Sequence, residues 1–342
     1  MTRWTWPIAA AAGVVAISFA VPATAQDQLT IAGSTEGGTM YRLGAAMSEI
    51  FNDAQEDFRL NVTLGGGAAN PAMNIARLGS HALQLGLVGD DDVGRELVAH
   101  LRAGGIDAGG IIIDTDRATT QKTRIVSQIN FRFPQQLARL DRVDRHPPIP
   151  TIESAVIVAL TQMMPTVDAV LVSDYRSGML TPHIVQAVLT EAPRHGCLTC
   201  VDSQGNLDKY RGFDIIRANQ HDTETYLGRT LRSEDEFADA MRYLLDHLGA
   251  QGIVIGRGAE GVSLLGKAVS YHHFRPANLT EVFDVIGAGD TSIAVLTLGL
   301  IAELDLAQAA LLANYAAGLV VQKLGNATPT PAELRQAIQQ WG

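Results

Sequence analysis

From residue 82 to the C-terminus, short apolar runs of strand length alternate with amphipathic stretches of helical length. That rhythm restricts the chain to a mainly parallel sheet with helices on both faces. Strands are predicted over 83–88, 169–173, 198–202, 213–216 and 252–255. Helices are predicted over 93–101, 182–189, around Glu224, and over 234–248, 288–301, 306–323 and 331–340. In sheets of this kind the ligand site lies beyond the carboxyl ends of the strands. With 342 residues, 46% of them hydrophobic and 18% charged, the chain can bury one large α/β core or two smaller ones. The segment 109–144 breaks the rhythm: 121–129 and 135–140 alternate polar with apolar residues, which predicts lid strands rather than core.

The formal net charge is −10, and no basic run is long enough to track a phosphate backbone, which excludes nucleic acid as a partner. A nucleotide needs only a local anion site. At the N-terminus, Arg3 precedes an apolar stretch over 8–21, and Ala23-Thr24-Ala25 supplies a small-x-small pattern. This reads as a signal peptide cleaved after Ala25, too short to be a stable membrane span. The two cysteines, Cys197 and Cys200, have the spacing of a redox or half-zinc motif. They fall on a buried strand, however, where residues three apart point to opposite faces, so they read as core residues.

Two glycine-rich segments carry the chemistry. Phe283-Asp284-Val285-Ile286-Gly287-Ala288-Gly289-Asp290-Thr291 opens an apolar helix. Its glycines let the backbone turn sharply, and the free amides of the first helical turn form a hole for negative charge. Asp290 at the mouth is the candidate base for a substrate hydroxyl, and together these are the parts that phosphoryl transfer requires. The bland reading is an Asp capping a helix after a glycine turn. The second segment, Leu64-Gly65-Gly66-Gly67-Ala68-Ala69-Asn70-Pro71-Ala72-Met73-Asn74, also opens a helix. Its glycine backbone and two asparagines one turn apart suit sugar hydroxyls, or else simply a capped glycine turn.

Together the two segments resemble the paired signatures of the PfkB (ribokinase-like) carbohydrate kinases. Within that family the likeness is greatest to the heptose-7-phosphate kinase domain of ADP-heptose synthesis. Further landmarks are Gly86-Leu87-Val88-Gly89-Asp90, Thr120-Gln121-Lys122-Thr123-Arg124, Val172-Ser173-Asp174-Tyr175, Tyr210-Arg211-Gly212 and Asn314-Tyr315-Ala316-Ala317-Gly318. The resemblance implies a three-layer ribokinase-like α/β fold with a small β lid. It also implies a kinase using ATP and Mg2+ on a sugar or sugar phosphate, foremost D-glycero-β-D-manno-heptose 7-phosphate at its 1-hydroxyl. By the same resemblance Gly66, Gly67 and Asn70 touch the sugar, Asp290 is the base, and Gly287, Ala288 and Gly289 form the anion hole. Asn219-Gln220-His221-Asp222 matches an Asn-x-x-Glu motif that handles magnesium-bound phosphates, with Asp222 as the metal-side carboxylate. Gly258 and Gly261 lie by the nucleotide phosphates, and Asn314 by the adenine. Lys122 and Arg124 are the candidates to grip a sugar phosphate; their alternative is exposed charge on a lid strand.

Three departures stand out. Asp174-Tyr175-Arg176-Ser177-Gly178 has Ser where the subfamily has Lys, and Asp202-Ser203-Gln204-Gly205 replaces Asp-Pro-Lys-Gly, so two phosphate-binding cations are missing. Arg176 is a substitute for one. Third, the segment beginning Gln28-Leu29-Thr30-Ile31-Ala32-Gly33 replaces the family's first strand and its terminal Asp. With the leader it resembles a TAXI-type receptor of TRAP transporters. The chain therefore reads as 1–25 signal-peptide-like, 26–62 receptor-like and 63–342 kinase, with residues 29–32 available as the missing strand. Kinase chemistry implies the cytoplasm, while the leader argues for export. Another PfkB sugar or nucleoside kinase, an inactive remnant and a periplasmic solute-binding protein stay open as alternatives, and so does a homodimer.

Overall fold

The computed structural model describes residues 29–33, 60–64, 69–127, 135–277, 284–323 and 325–341. Residues 1–25, expected as a leader, most of 26–62, expected as receptor-like, and Gly66 and Gly67 lie outside the described residues. Among those described, three sheets occur. The largest runs in the order β12 (His272–Phe274), β11 (Val262–Gly266), β10 (Gly252–Gly256), β9 (Ile215–Asn219), β8 (Leu198–Ser203), β7 (Ala169–Asp174). Strands β7 to β10 are mutually parallel, and β11 and β12 add antiparallel edges. A separate parallel pair joins β3 (Leu83–Gly89) to β4 (Asp107–Asp114). The third sheet is four-stranded, in the order β2 (Leu60–Leu64), β1 (Leu29–Gly33), β5 (Gln121–Ser127), β6 (Gln135–Arg142).

The predicted lid strands therefore exist and pair antiparallel as β5 and β6. One expectation is corrected. Residues 29–32 do form a strand, but β1 pairs with β2 and β5 in this third sheet and does not enter the central one. A short apolar, β-branched run specifies a strand without specifying its partner.

Helices cover both faces of the central sheet. α1 (Asn70–Arg77), α2 (Asp92–Ala103), α3 (Pro150–Met163), α4 (Pro182–His195), α5 (Gln220–Leu227) and α6 (Glu234–Leu248) precede a C-terminal trio, α7 (Ala288–Ile301), α8 (Leu306–Val320) and α9 (Pro331–Trp341). Strand alternation sorts the core into two layers. Val201, Ile216, Ile253 and Ile255 pack with Phe237, Met241 and Leu244 of α6. Cys200, Ile215, Val254 and Leu264 pack with Ile293, Leu296, Ala309 and Ala313 of α7 and α8. Cys197 belongs to the first layer and Cys200 to the second, and both are free thiols. Burial raises both thiols, Cys200 to about 12, so neither supplies a thiolate near neutrality.

α7 is buried on nearly every side from Asp290 to Thr297, which explains why its sequence is apolar without a helical stripe. It lies between the sheet and α1. That packing is fixed by a buried bond from Thr291 Oγ1 to Asn74 Oδ1 at 2.9 Å. Between β3 and β7 lies a cavity of about 780 Å3, lined by Leu85, Leu87, Met163, Leu171, Ile184 and Leu298. It separates the β3–β4 pair from the six-stranded sheet. No described helix is long and apolar enough to cross a membrane.

Candidate active site

Gly287 takes a left-handed conformation (φ +78°) immediately before α7, a turn that favours glycine. No side chain caps the helix. The Ala288 amide reaches the Val285 carbonyl at 3.4 Å, which leaves the amides at 289 and 290 available to an anion, with the positive end of the helix dipole behind them. Asp284 holds the approach, accepting from the Ile286 amide at 2.9 Å and the Gly325 amide at 3.0 Å.

Asp290 follows in the first turn and is 4% exposed. Asn70 Nδ2 donates to its Oδ2 at 2.9 Å, and the Tyr175 hydroxyl donates to Oδ1. Burial pushes the carboxyl up to about 6, against the pull of the hydrogen bonds from Tyr175 and Asn70; nearby Asp202 adds to the rise and Arg217 opposes it. A carboxylate so tuned is ionised at neutral pH yet basic enough to take a proton in a transition state. Tyr175 follows β7, at a carboxyl end of the central sheet. Its own hydroxyl is driven far above the usual tyrosine range by burial and by Asp290, so it stays a proton donor to that carboxylate.

The expected constellation is thus partly assembled. Asn70 from the second glycine segment and Asp290 from the first meet directly, although 220 residues separate them. Asn74 corrects the expectation of two sugar-binding asparagines: it is 1% exposed, its amide donates to the Asn70 carbonyl at 2.9 Å, and its oxygen is engaged by Thr291. It holds α1 on α7. Lys122 lies with Nζ 5.1 Å from the centre of the Tyr175 ring, whose hydroxyl reaches Asp290. Arg124 stands two residues further along β5, opposite Arg139 and Ala32 in register.

Asn219 and Asp222 form the start of α5. Asn219 Oδ1 caps the Asp222 amide at 2.7 Å, and its Nδ2 donates to Asp222 Oδ2 at 2.6 Å. Asn219 and Gly258 share a shallow concavity with Gly256 and Arg257, which brings the Asn-x-x-Asp turn to the β10–β11 connection. Gly261, at the end of that connection, has φ +95°, and a Cβ there would stand 2.1 Å from the Phe274 carbonyl oxygen. Its glycine thus has a structural reason whatever it binds. Asn314 on α8 donates to the Arg275 carbonyl at 2.7 Å, tying the helix to the segment after β12. Arg176, the expected substitute for a missing phosphate cation, brings Nη1 to 3.7 Å from where a Cβ on Gly205 would stand, beside the segment that lacks the Lys, and its carbonyl accepts from Arg145 at 3.0 Å. Tyr175 and Arg217 were not assigned roles from sequence. Tyr175 closes the Val172-Ser173-Asp174-Tyr175 landmark just past a strand end, and Arg217 interrupts an apolar strand.

Comparison with known proteins identifies the family and the fold. The pfkB family carbohydrate kinase model matches residues 35–333. The chain belongs to that family. Among curated relatives, the bifunctional protein HldE of Pelobacter propionicus is 33% identical over 291 residues, 85% of this chain and 57% of the relative. The HldE of Caulobacter vibrioides is 38% identical over 272 residues, 79% of this chain and 54% of the relative. This PfkB chain therefore spans little more than half the length of those relatives. Arabidopsis thaliana ribokinase, solved with ribose and ATP, superposes with a TM-score of 0.65 at 17% identity, covering 80% of this chain and 87% of that one. Thermotoga maritima ribokinase gives 0.63 at 17%, covering 92% and 97%. The fold is ribokinase-like, and the family is one of phosphotransferases that act on sugars.

Proposed function

We propose that this PfkB kinase transfers the γ-phosphoryl group of ATP to a sugar phosphate, with Asp290 as the base. The observation that carries the reading is the buried Asp290 carboxylate, held by Asn70 and Tyr175 at the uncapped, glycine-lined entrance of α7. Asp290 takes the proton of the acceptor hydroxyl, and that oxygen bonds to the γ-phosphorus. The bond from phosphorus to the β–γ bridging oxygen breaks, its electron pair leaving with ADP. The amides at 289 and 290 face the charge on the transferred group. Asn219, Gly258 and Gly261 border the nucleotide phosphates, and Asn314 the adenine side. Mg2+ fits the donor set to the extent that a phosphate-bound ion needs only one or two carboxylates from the protein; Asp222, through water, would hold it and the ion would neutralise phosphate charge.

D-glycero-β-D-manno-heptose 7-phosphate, phosphorylated at O1, is the acceptor favoured by the HldE relatives. Lys122 beside Tyr175 and Arg124 on the same strand supply charge for its 7-phosphate, and the product would feed ADP-heptose synthesis. Residues 63–342 form the kinase part in this reading. The test is ADP release from ATP and magnesium across a panel of sugars and sugar phosphates. Turnover should be greatest with the heptose phosphate and should fall at least ~100-fold in Asp290→Asn. Equal release from that variant removes Asp290 from the mechanism, and turnover confined to unphosphorylated sugars removes the heptose phosphate.

A further inference from the structure

Arg217 is the one charged residue in the run Ile215-Ile216-Arg217-Ala218, and it stands two positions before Asn219 on β9. Its register partner on β8 is Asp202, whose Oδ1 accepts from Nη1 at 2.6 Å. The guanidinium then lies against the backbone of two glycines. A Cβ on Gly289, in the first turn of α7, would stand 3.3 Å from Nη1, and one on Gly256, at the end of β10, would stand 3.1 Å from Nη2. The residue is 9% exposed, and its Nε has no hydrogen-bond partner among the described residues.

Burying a guanidinium is unfavourable, and one carboxylate does not use its five donors. An apolar residue in this strand would pack without that penalty, as Ile215, Ile216 and Ala218 do. What distinguishes position 217 is its location, between the helix entrance that holds Asp290 and the Asn219 turn at the nucleotide side. A buried cation with a spare donor, its Nη1 against the first turn of a glycine-lined helix N-terminus, matches the chemistry of a planar, multiply charged phosphoryl group. Asp202 fixes the fork in place.

We propose that Arg217, oriented by Asp202, is a catalytic cation that contacts the migrating phosphoryl group beside the first turn of α7. It supplies within β9 the charge that Ser177 and Ser203-Gln204 do not. Arg217 neither gives nor takes a proton; the bonds made and broken are those already described. This rests on the kinase reading, and the experiment separates the two.

Calorimetry of ADP binding, with and without aluminium fluoride as a planar phosphoryl mimic, is measured for the wild type, Arg217→Lys and the double variant Asp202→Asn/Arg217→Met. The double variant leaves no unpaired buried charge. In the wild type the mimic should tighten ADP binding. In the double variant ADP alone should bind within about twofold of wild type, while the tightening falls at least ~10-fold. Tightening that matches wild type, or none in the wild type, overturns the proposal. Should the double variant lose its near-ultraviolet circular dichroism, Arg217→Lys decides: kcat down at least ~10-fold with KM for ATP within about threefold supports the contact, and an unchanged kcat overturns it. Turnover in the same preparations tests the kinase reading separately. Activity abolished by Asp290→Asn but indifferent to Arg217 sinks this proposal alone, whereas no turnover with any acceptor sinks the kinase reading.

Discussion

Asp290 combines two properties that ordinarily oppose each other, burial and ionisation at neutral pH. Its folded-state pKa, about 6, is above the ordinary carboxylate value of 3.8. The folded protein therefore binds this proton more tightly than the unfolded chain does. The group's contribution to stability falls as pH rises from about 4 to about 6, and its full penalty is present above 6. Two units correspond to roughly 3 kcal/mol as an order of magnitude. Asp290→Asn should accordingly be at least as stable as wild type at pH 8, with its advantage shrinking towards pH 4, while activity is lost. Thermal melts across that range check the sign. Tyr175 lowers the Asp290 pKa by donating to it. Tyr175→Phe should move the acid limb of kcat to higher pH than in wild type, and a limb that stays in place would remove Tyr175 from the tuning of the base.

The contact of α1 with α7 is what converts two distant glycine segments into one site. Both helices start at the site, and the Asn74–Thr291 bond sets their register one turn further along α1 and one residue further along α7 than the Asn70–Asp290 bond. Asn74→Ala leaves the buried Thr291 hydroxyl without that partner and should destabilise by about 1–3 kcal/mol in urea unfolding. Adding Thr291→Val should cost less than the sum of the two single changes. Much at this scale was legible in the sequence: the α7 entrance, Asp290, Asn70 and the lid strands follow from local pattern, and the Asn219 turn from the family resemblance. What was not legible depends on register. Asp202 and Arg217 are fifteen residues apart and meet only because β8 and β9 lie side by side. Asn74 looked like a second sugar ligand because spacing shows which helix face a residue occupies, not which neighbour covers that face.

Across the whole molecule the central layer is divided. Among the described residues β3 pairs only with β4, and β7 only with β8, and the cavity of about 780 Å3 lies between their facing edges. The alternating pattern after residue 82 predicted the layers well, yet it could not assign residues 29–33 to the lid sheet, because nothing local distinguishes a lid strand from a central one. The divided layer predicts room for added apolar bulk. A Cβ on Gly86, which lines the cavity on β3, meets only Ile111 Cδ1 at 3.5 Å and Gln84 Nε2 at 3.8 Å. Gly86→Ala should therefore stabilise the protein by roughly 0.5–1 kcal/mol, measured as a higher urea midpoint at unchanged m.

The most direct measurement is single-turnover transfer of radiolabelled γ-phosphoryl from ATP to the best acceptor, followed from pH 5 to 8 in wild type and Asp290→Asn. The account predicts a wild-type rate that rises with pH through a midpoint near 6, where the buried carboxyl loses its proton. It predicts a variant rate at least ~100-fold lower with no such limb. A variant that transfers the label at the wild-type rate, or that keeps the same limb, would contradict it.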